Sequence, residues 1–143
     1  TSVAGLIGAT AGNGVGMSGV APGAGLAGWM IYDASGRSVT TERIGDMFRY
    51  ASNVVSVQNH SWGPSGLRQR GPDALEDAGL QDAWTQGRNG LGTVMVFAAG
   101  NDRATGGWAN DNGFASDPRG IGVGGVNSQG RATAASEPGS SIL

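Results

Sequence analysis

Residues 92–102 read GTVMVFAAGND, an apolar run that stops at Gly100 and hands over to Asn101. Val94, Val96 and Phe97 favour extended backbone. A short apolar run bounded by glycines is the pattern of a strand buried in a parallel sheet. The run therefore predicts a strand over 93–98. A glycine before an asparagine at its carboxyl end lets the backbone approach a ligand, and a carboxamide offers two donors. In open parallel sheets, ligands bind at that end. Taken by itself, Gly100-Asn101 reads sooner as an ordinary turn that closes a strand.

Working outward, NVVSVQNHSWGP (53–64) reads as a second strand stopping at Gly63-Pro64, and IGVGGV (121–126) as another. Residues 72–88 form the best helix, with Pro72 in the first turn, Leu80 and Trp84 paired at i, i+4, and Asn89-Gly90 as the stop. Residues 41–51 place Ile44, Met47, Phe48 and Ala51 at helical spacing behind a Thr41 cap. TSVAGLIGA (1–9) puts Val3, Leu6 and Ile7 on one helical face, TAGNGVGMSG (10–19) is a glycine-rich loop, and AGLAGWMIY (24–32) reads as a strand. Alternating strands and helices imply an α/β fold, a parallel sheet with helices on both faces. The opening helix has no cap, and the closing SSIL reads like mid-strand. The expectation is a central segment of one domain, residues 1–143, incomplete at both ends.

Composition narrows the chemistry. The 143 residues carry 9 basic and 11 acidic side chains, a formal charge of −2, with no basic stripe, which argues against nucleic acid as a partner. Every basic residue is arginine, which removes a lysine Schiff base and a Walker-type loop from this chain. With no cysteine, disulfides and thiolate chemistry are absent from these residues. No apolar run approaches a membrane span, and no stretch at the start reads as a secretion signal. GVGMSG (14–19) fits the spacing of a dinucleotide fingerprint, but it follows a helix and precedes Pro22, so the strand–turn–helix context is missing.

TSVAGLIGA, NGVGMSGVAPGA, HSWGP and FAAGN occur in this order, and the ordered set resembles the subtilisin-like serine proteases. SWGP, DAWTQGRNGLGTVMVFAAGN and NDNGF are similar to the kexin/furin branch. The resemblance covers nearly the whole chain. It implies a serine endopeptidase in which Asn101 is the oxyanion-hole residue. Ser61, Trp62 and Gly63 then form the segment that pairs with bound peptide, Ala98, Ala99 and Gly100 form the facing wall, and Asn112 and Phe114 mark the pocket floor. The catalytic Asp, the His before Thr1 and the nucleophilic Ser beyond Leu143 fall outside the segment. His60, the single histidine, reads as a hydrogen-bonded structural residue.

The same resemblance implies a structural calcium ion held by oxygens of Thr10, Asn13, Val15 and Met17, donors suited to a hard cation, with the carboxylate ligands supplied from outside the segment. It further implies a polypeptide substrate, a prodomain or peptide inhibitor as possible partner, and a secreted or periplasmic location. Carboxylates that the kexin/furin branch uses to hold basic side chains fall on Ser65-Gly66, Arg70 and Asn112, so a neutral slot is expected. A reading from another class is a non-catalytic pseudoprotease or peptide-binding module that keeps the cleft without a triad.

Overall fold

In a computed structural model that describes residues 2–64, 66–67 and 69–142, the apolar run becomes the middle strand of the sheet. Strands β1 (Val57–His60), β2 (Val94–Ala98) and β3 (Gly120–Val123) are parallel, in the order β1-β2-β3. The register pairs His60 with Phe97 on one side of β2, and Met95 with Gly120 on the other. Side chains alternate between the two faces. Met95 and Phe97, each 1% exposed, share their face with His60 of β1. On the same face β3 carries only Gly120 and Gly122, because a Cβ at Gly120 would stand 2.6 Å from Phe97 Cε2. The opposite face of β2, Val94, Val96 and Ala98, runs from exposed to half-buried.

Helices α2 (Thr41–Arg49) and α3 (Ala74–Gly90) pack on each other. A Cβ at Gly79 would lie 2.5 Å from Gly45 O, and one at Gly45 would lie 2.7 Å from Leu75 O. The backbones touch where neither helix carries a side chain. Helix α2 buries Ile44, Met47 and Phe48, and Gln58 Nε2 of β1 donates to Phe48 O at 2.9 Å. Its cap is Thr40, one residue before the expected Thr41, because the Thr40 side chain accepts from Arg43 N–H. Helix α3 starts in a capping box: Asp73 accepts from Glu76 N–H, and Glu76 accepts from Asp73 N–H. Pro72 therefore stands ahead of the helix and not in its first turn.

Leu80 is fully buried, while Trp84, one turn further along the helix, is 48% exposed. Helical geometry ends at Gly87, and Arg88 and Asn89 adopt left-handed φ values of 52° and 58°. Thr93 N–H then donates to Ala83 O at 2.9 Å, which joins α3 to the start of β2.

The chain divides into two compact units, residues 1–31 and 32–143. The first holds α1 (Ser2–Gly8) and the glycine-rich loop; the second holds the sheet with α2 and α3. Residues 24–30 are not a strand, and Tyr32 makes only an isolated antiparallel bridge to Ser38. An apolar pattern becomes a strand only where a neighbouring segment receives its backbone hydrogen bonds. Among the described residues, no helix is long and apolar enough to cross a membrane.

Candidate functional site

The parallel pairing of His60 with Phe97 sends the chain out of β1 and β2 in the same direction. Segments 61–63 and 99–101 thus leave the sheet side by side at its carboxyl end. Ser61, Ala98, Ala99, Gly100 and Asn101 line one cleft, together with Asn59 and Gly124. Ser61 is held by a 2.8 Å hydrogen bond from Asn59 Nδ2 to its Oγ.

Gly100 has φ 113°, and a Cβ there would sit 2.6 Å from Glu137 Oε2. Only glycine meets both conditions. Asn101 follows, exposed, and its carboxamide makes no hydrogen bond among the described residues. Asparagines in turns commonly fold back onto their own backbone. This one leaves both N–H donors free for a ligand in the cleft. The backbone on either side is fastened: Glu137 N–H donates to Gly100 O at 3.2 Å, and Asp102 N–H donates to Glu137 Oε1 at 3.0 Å.

A second pocket opens beside the first, lined by Pro64, Gly66, Gly100, Trp108, Asp111, Asn112 and Glu137 among others. Asn112 is buried, and its Oδ1 accepts from Phe114 N–H at 3.1 Å and Ala115 N–H at 3.3 Å. Its Nδ2 closes on Gly63, where a Cβ would stand 3.1 Å away. Asn112 therefore links the floor to the 61–63 wall. Phe114 does not line this pocket. It is 1% exposed and packs edge-on against Trp62 at 5.3 Å, so it supports the floor from within the core.

The cleft walled by Ser61 and Ala98–Gly100 carries no charged residue among the described residues, but the second pocket, which holds the expected floor residue Asn112, is lined by two carboxylates, Asp111 and Glu137, at positions the resemblance did not match. Arg70 Nη2 pairs with the buried Glu76 at 3.3 Å. Ser65 lies outside the described residues. Glu137 carries no local signature in SEPG (136–139), and its partners Asp102 and Gly100 lie 35 and 37 residues away.

His60 is structural, but not through the expected hydrogen bond. Its Nε2 is buried without a partner among the described residues. The ring instead stacks on Phe97 at 4.8 Å and meets Phe48 at 5.1 Å and Trp62 at 5.7 Å. Burial pushes its pKa down to about 4, so the imidazole is neutral near pH 7.

In the first unit, the 10–19 loop turns through Gly12, Gly14 and Gly16, whose φ values are 72°, 71° and 64°. Val15 N–H donates to Asn13 Oδ1 at 3.0 Å, and Gly19 N–H closes the loop onto Ala9 O at 2.9 Å. The carbonyls of Thr10, Val15 and Met17 accept no backbone hydrogen bond among the described residues. These three carbonyls and the Asn13 amide oxygen, which accepts from Val15 N–H, are all hard oxygen donors, the type a calcium ion takes.

The subtilase family model matches residues 1–142. Mouse proprotein convertase subtilisin/kexin type 7 is 33% identical over 137 residues, which is 92% of this chain and 17% of the relative. Kexin of Saccharomyces cerevisiae is 31% identical over 129 residues, 89% of this chain and 16% of the relative. A solved protease of Pseudoalteromonas arctica superimposes with a TM-score of 0.78 at 26% identity, covering 98% of this chain and 40% of that one. The chain belongs to the subtilase family, and its parallel sheet with helices is the subtilisin-like α/β fold. It spans less than a fifth of the length of these curated relatives.

Proposed function

We propose that this chain is the part of a secreted or periplasmic, calcium-stabilised serine endopeptidase that supplies the oxyanion hole and the walls of the substrate cleft. In this reading the catalytic Asp, His and Ser lie in sequence outside the 143 residues. The substrate is a polypeptide, and a prodomain or peptide inhibitor would occupy the same cleft.

The observation that carries the reading is the free carboxamide of Asn101, exposed in a cleft at the carboxyl end of the central strand. In acyl transfer, a serine Oγ attacks the peptide carbonyl carbon while its proton passes to the histidine. The carbonyl oxygen becomes an oxyanion. A hydrogen bond from Asn101 Nδ2 to that oxygen strengthens as the charge develops, so it lowers the barrier more than it tightens binding. The backbone of Ser61–Gly63 would receive the peptide as an added strand. The small side chains of Ala98 and Ala99, with Gly100, leave room for a substrate side chain.

Thr10, Asn13, Val15 and Met17 would hold the calcium ion. Held by them, an ion would cross-link the loop.

The test is Asn101→Ala in the full-length protein. It should lower kcat by roughly 10²–10³-fold, the magnitude known for loss of the oxyanion-hole asparagine in subtilisin, with KM nearly unchanged. An unchanged kcat would reduce Asn101 to a turn residue and remove the reading.

A further inference from the structure

An oxyanion donor is useful only if it is held in place before the charge appears. The Asn101 side chain has no partner among the described residues, so its aim depends on the backbone that bears it. That backbone is gripped on both sides by one residue. Glu137 N–H donates to the carbonyl of Gly100 at 3.2 Å, and Glu137 Oε1 accepts from the N–H of Asp102 at 3.0 Å. Two residues upstream, Ala135 O takes Arg103 N–H at 3.4 Å and extends the grip.

The carboxylate also fills a niche shaped by two glycines. A Cβ at Gly100 would stand 2.6 Å from Oε2, and one at Gly107 would stand 2.7 Å from Oε1. Asp102 O meanwhile accepts from Gly107 N–H at 2.9 Å, so the turn from 100 to 107 closes around the carboxylate. Glu137 is 8% exposed and has no salt-bridge partner among the described residues. A buried carboxylate without a counter-ion depends on hydrogen bonds to offset its desolvation, and one comes from Asp102 N–H. Here a charge-assisted bond fixes the residue after Asn101. Without it, Gly100 regains the wide φ range of glycine and the donor loses its aim.

We propose that Glu137 is the positioning residue of the oxyanion donor, acting on Asn101 through Gly100 and Asp102. The inference rests on the role proposed above for Asn101. It assigns Glu137 to turnover and not to recognition of substrate charge, although the residue lines the pocket.

The experiment is a double-mutant cycle in the full-length protein, with kcat and KM measured on peptides bearing a neutral or a cationic side chain before the cleaved bond. Active sites are titrated with a serine-reactive phosphonate. Glu137→Ala should lower kcat by about 10- to 100-fold on both peptides alike, with KM little changed. Glu137→Gln, whose amide oxygen still accepts from Asp102 N–H, should recover kcat to within about threefold. In the Asn101→Ala background, Glu137→Ala should cost almost nothing further, because its effect passes through Asn101. Additive losses in the cycle, or a loss confined to the cationic peptide, would overturn the proposal while leaving Asn101 in its role. If Asn101→Ala alone leaves kcat unchanged, the functional reading itself has failed. Should Glu137→Ala not fold, Glu137→Asp replaces it. One methylene short of Asp102 N–H, it should lose turnover as Ala would, and wild-type turnover in that variant overturns the inference.

Discussion

The imidazole of His60 lies on the ring of Phe97, centroids 4.8 Å apart and planes inclined by 17°, with Nε2 buried and unpartnered among the described residues. The two residues are register partners across β1 and β2, so the stack sits directly below the point where both cleft segments leave the sheet.

Acid should therefore destabilise the protein in a defined window. The His60 pKa is about 4 in the folded state against an ordinary value of 6.5, so the unfolded chain binds the proton first as pH falls. The contribution of His60 should be constant above about pH 7, decline between 6.5 and 4, and level off below, a total of roughly 3 kcal/mol from this residue. Urea unfolding at stepped pH gives the slope. His60→Phe should flatten the curve between pH 5 and 6.5, and an unchanged slope in that variant would assign the effect elsewhere.

Arg119 ties the loop before β3 to α3. Its guanidinium bonds Asp117 through Nε at 2.8 Å and through Nη2 at 2.6 Å, and reaches Asp77 at 2.6 Å and Gln81 at 3.1 Å. Burial opposes ionisation of Asp117, but the hydrogen bonds and charge of Arg119 prevail and hold its pKa below the ordinary 3.8. That stabilisation is complete above pH 3.8 and is lost as pH falls through the lowered value. Arg119→Ala should cost roughly 3 kcal/mol, since Asp117 would stay buried without its partner. Arg119→Lys should recover only part, because an ammonium cannot reproduce the fork. A loss in Arg119→Ala below about 0.5 kcal/mol would show a surface pair of little consequence.

Calcium dependence is read by melting the intact protein with and without chelator. An ion that binds only the folded state adds about 2.7 kcal/mol at 100-fold saturation. Chelation should lower Tm, and Asn13→Ala should shrink that shift without removing the fold. A melting curve indifferent to chelator would reject the 10–19 site.

Asp111 lines the second pocket, one residue from the matched Asn112. Its carboxylate should favour a cationic side chain before the cleaved bond. Asp111→Asn should reduce kcat/KM for an arginine peptide by about tenfold relative to a leucine peptide, the scale of one charge-assisted contact. Equal loss on both peptides would exclude Asp111 as a reader of charge.

Features set by local pattern were legible in the sequence. β2 announced itself by an apolar run closed by Gly100, and α2 by Ile44, Met47 and Phe48 on one face. Where the outcome depends on a distant partner, local pattern misled. Residues 24–30 have the composition of a strand and no ladder, and Phe114 has the chain position of a pocket residue and the burial of a core one. Glu137 was invisible for the same reason: its meaning comes from two glycines and a backbone N–H on the far side of a long loop. His60 read as a polar residue in need of a partner, whereas aromatic packing holds it.

The bare contact between Gly45 and Gly79 bears on how the chain finds its fold. A parallel pair cannot close through a hairpin, so His60 meets Phe97 only after the intervening helix has swung back across the sheet. Helices that meet backbone to backbone can dock early, before any side chain has chosen its rotamer, and docking shortens the loop that β1 and β2 must close. Gly79→Ala should accordingly slow refolding more than it speeds unfolding, a φ-value above about 0.5. Trp62, edge-on to His60 at 5.7 Å, is placed to report the closure by fluorescence. A purely faster unfolding limb would put the helix contact after the rate-limiting step. The order of assembly is written in two positions, Gly45 and Gly79, where the helices carry no side chain at their contact.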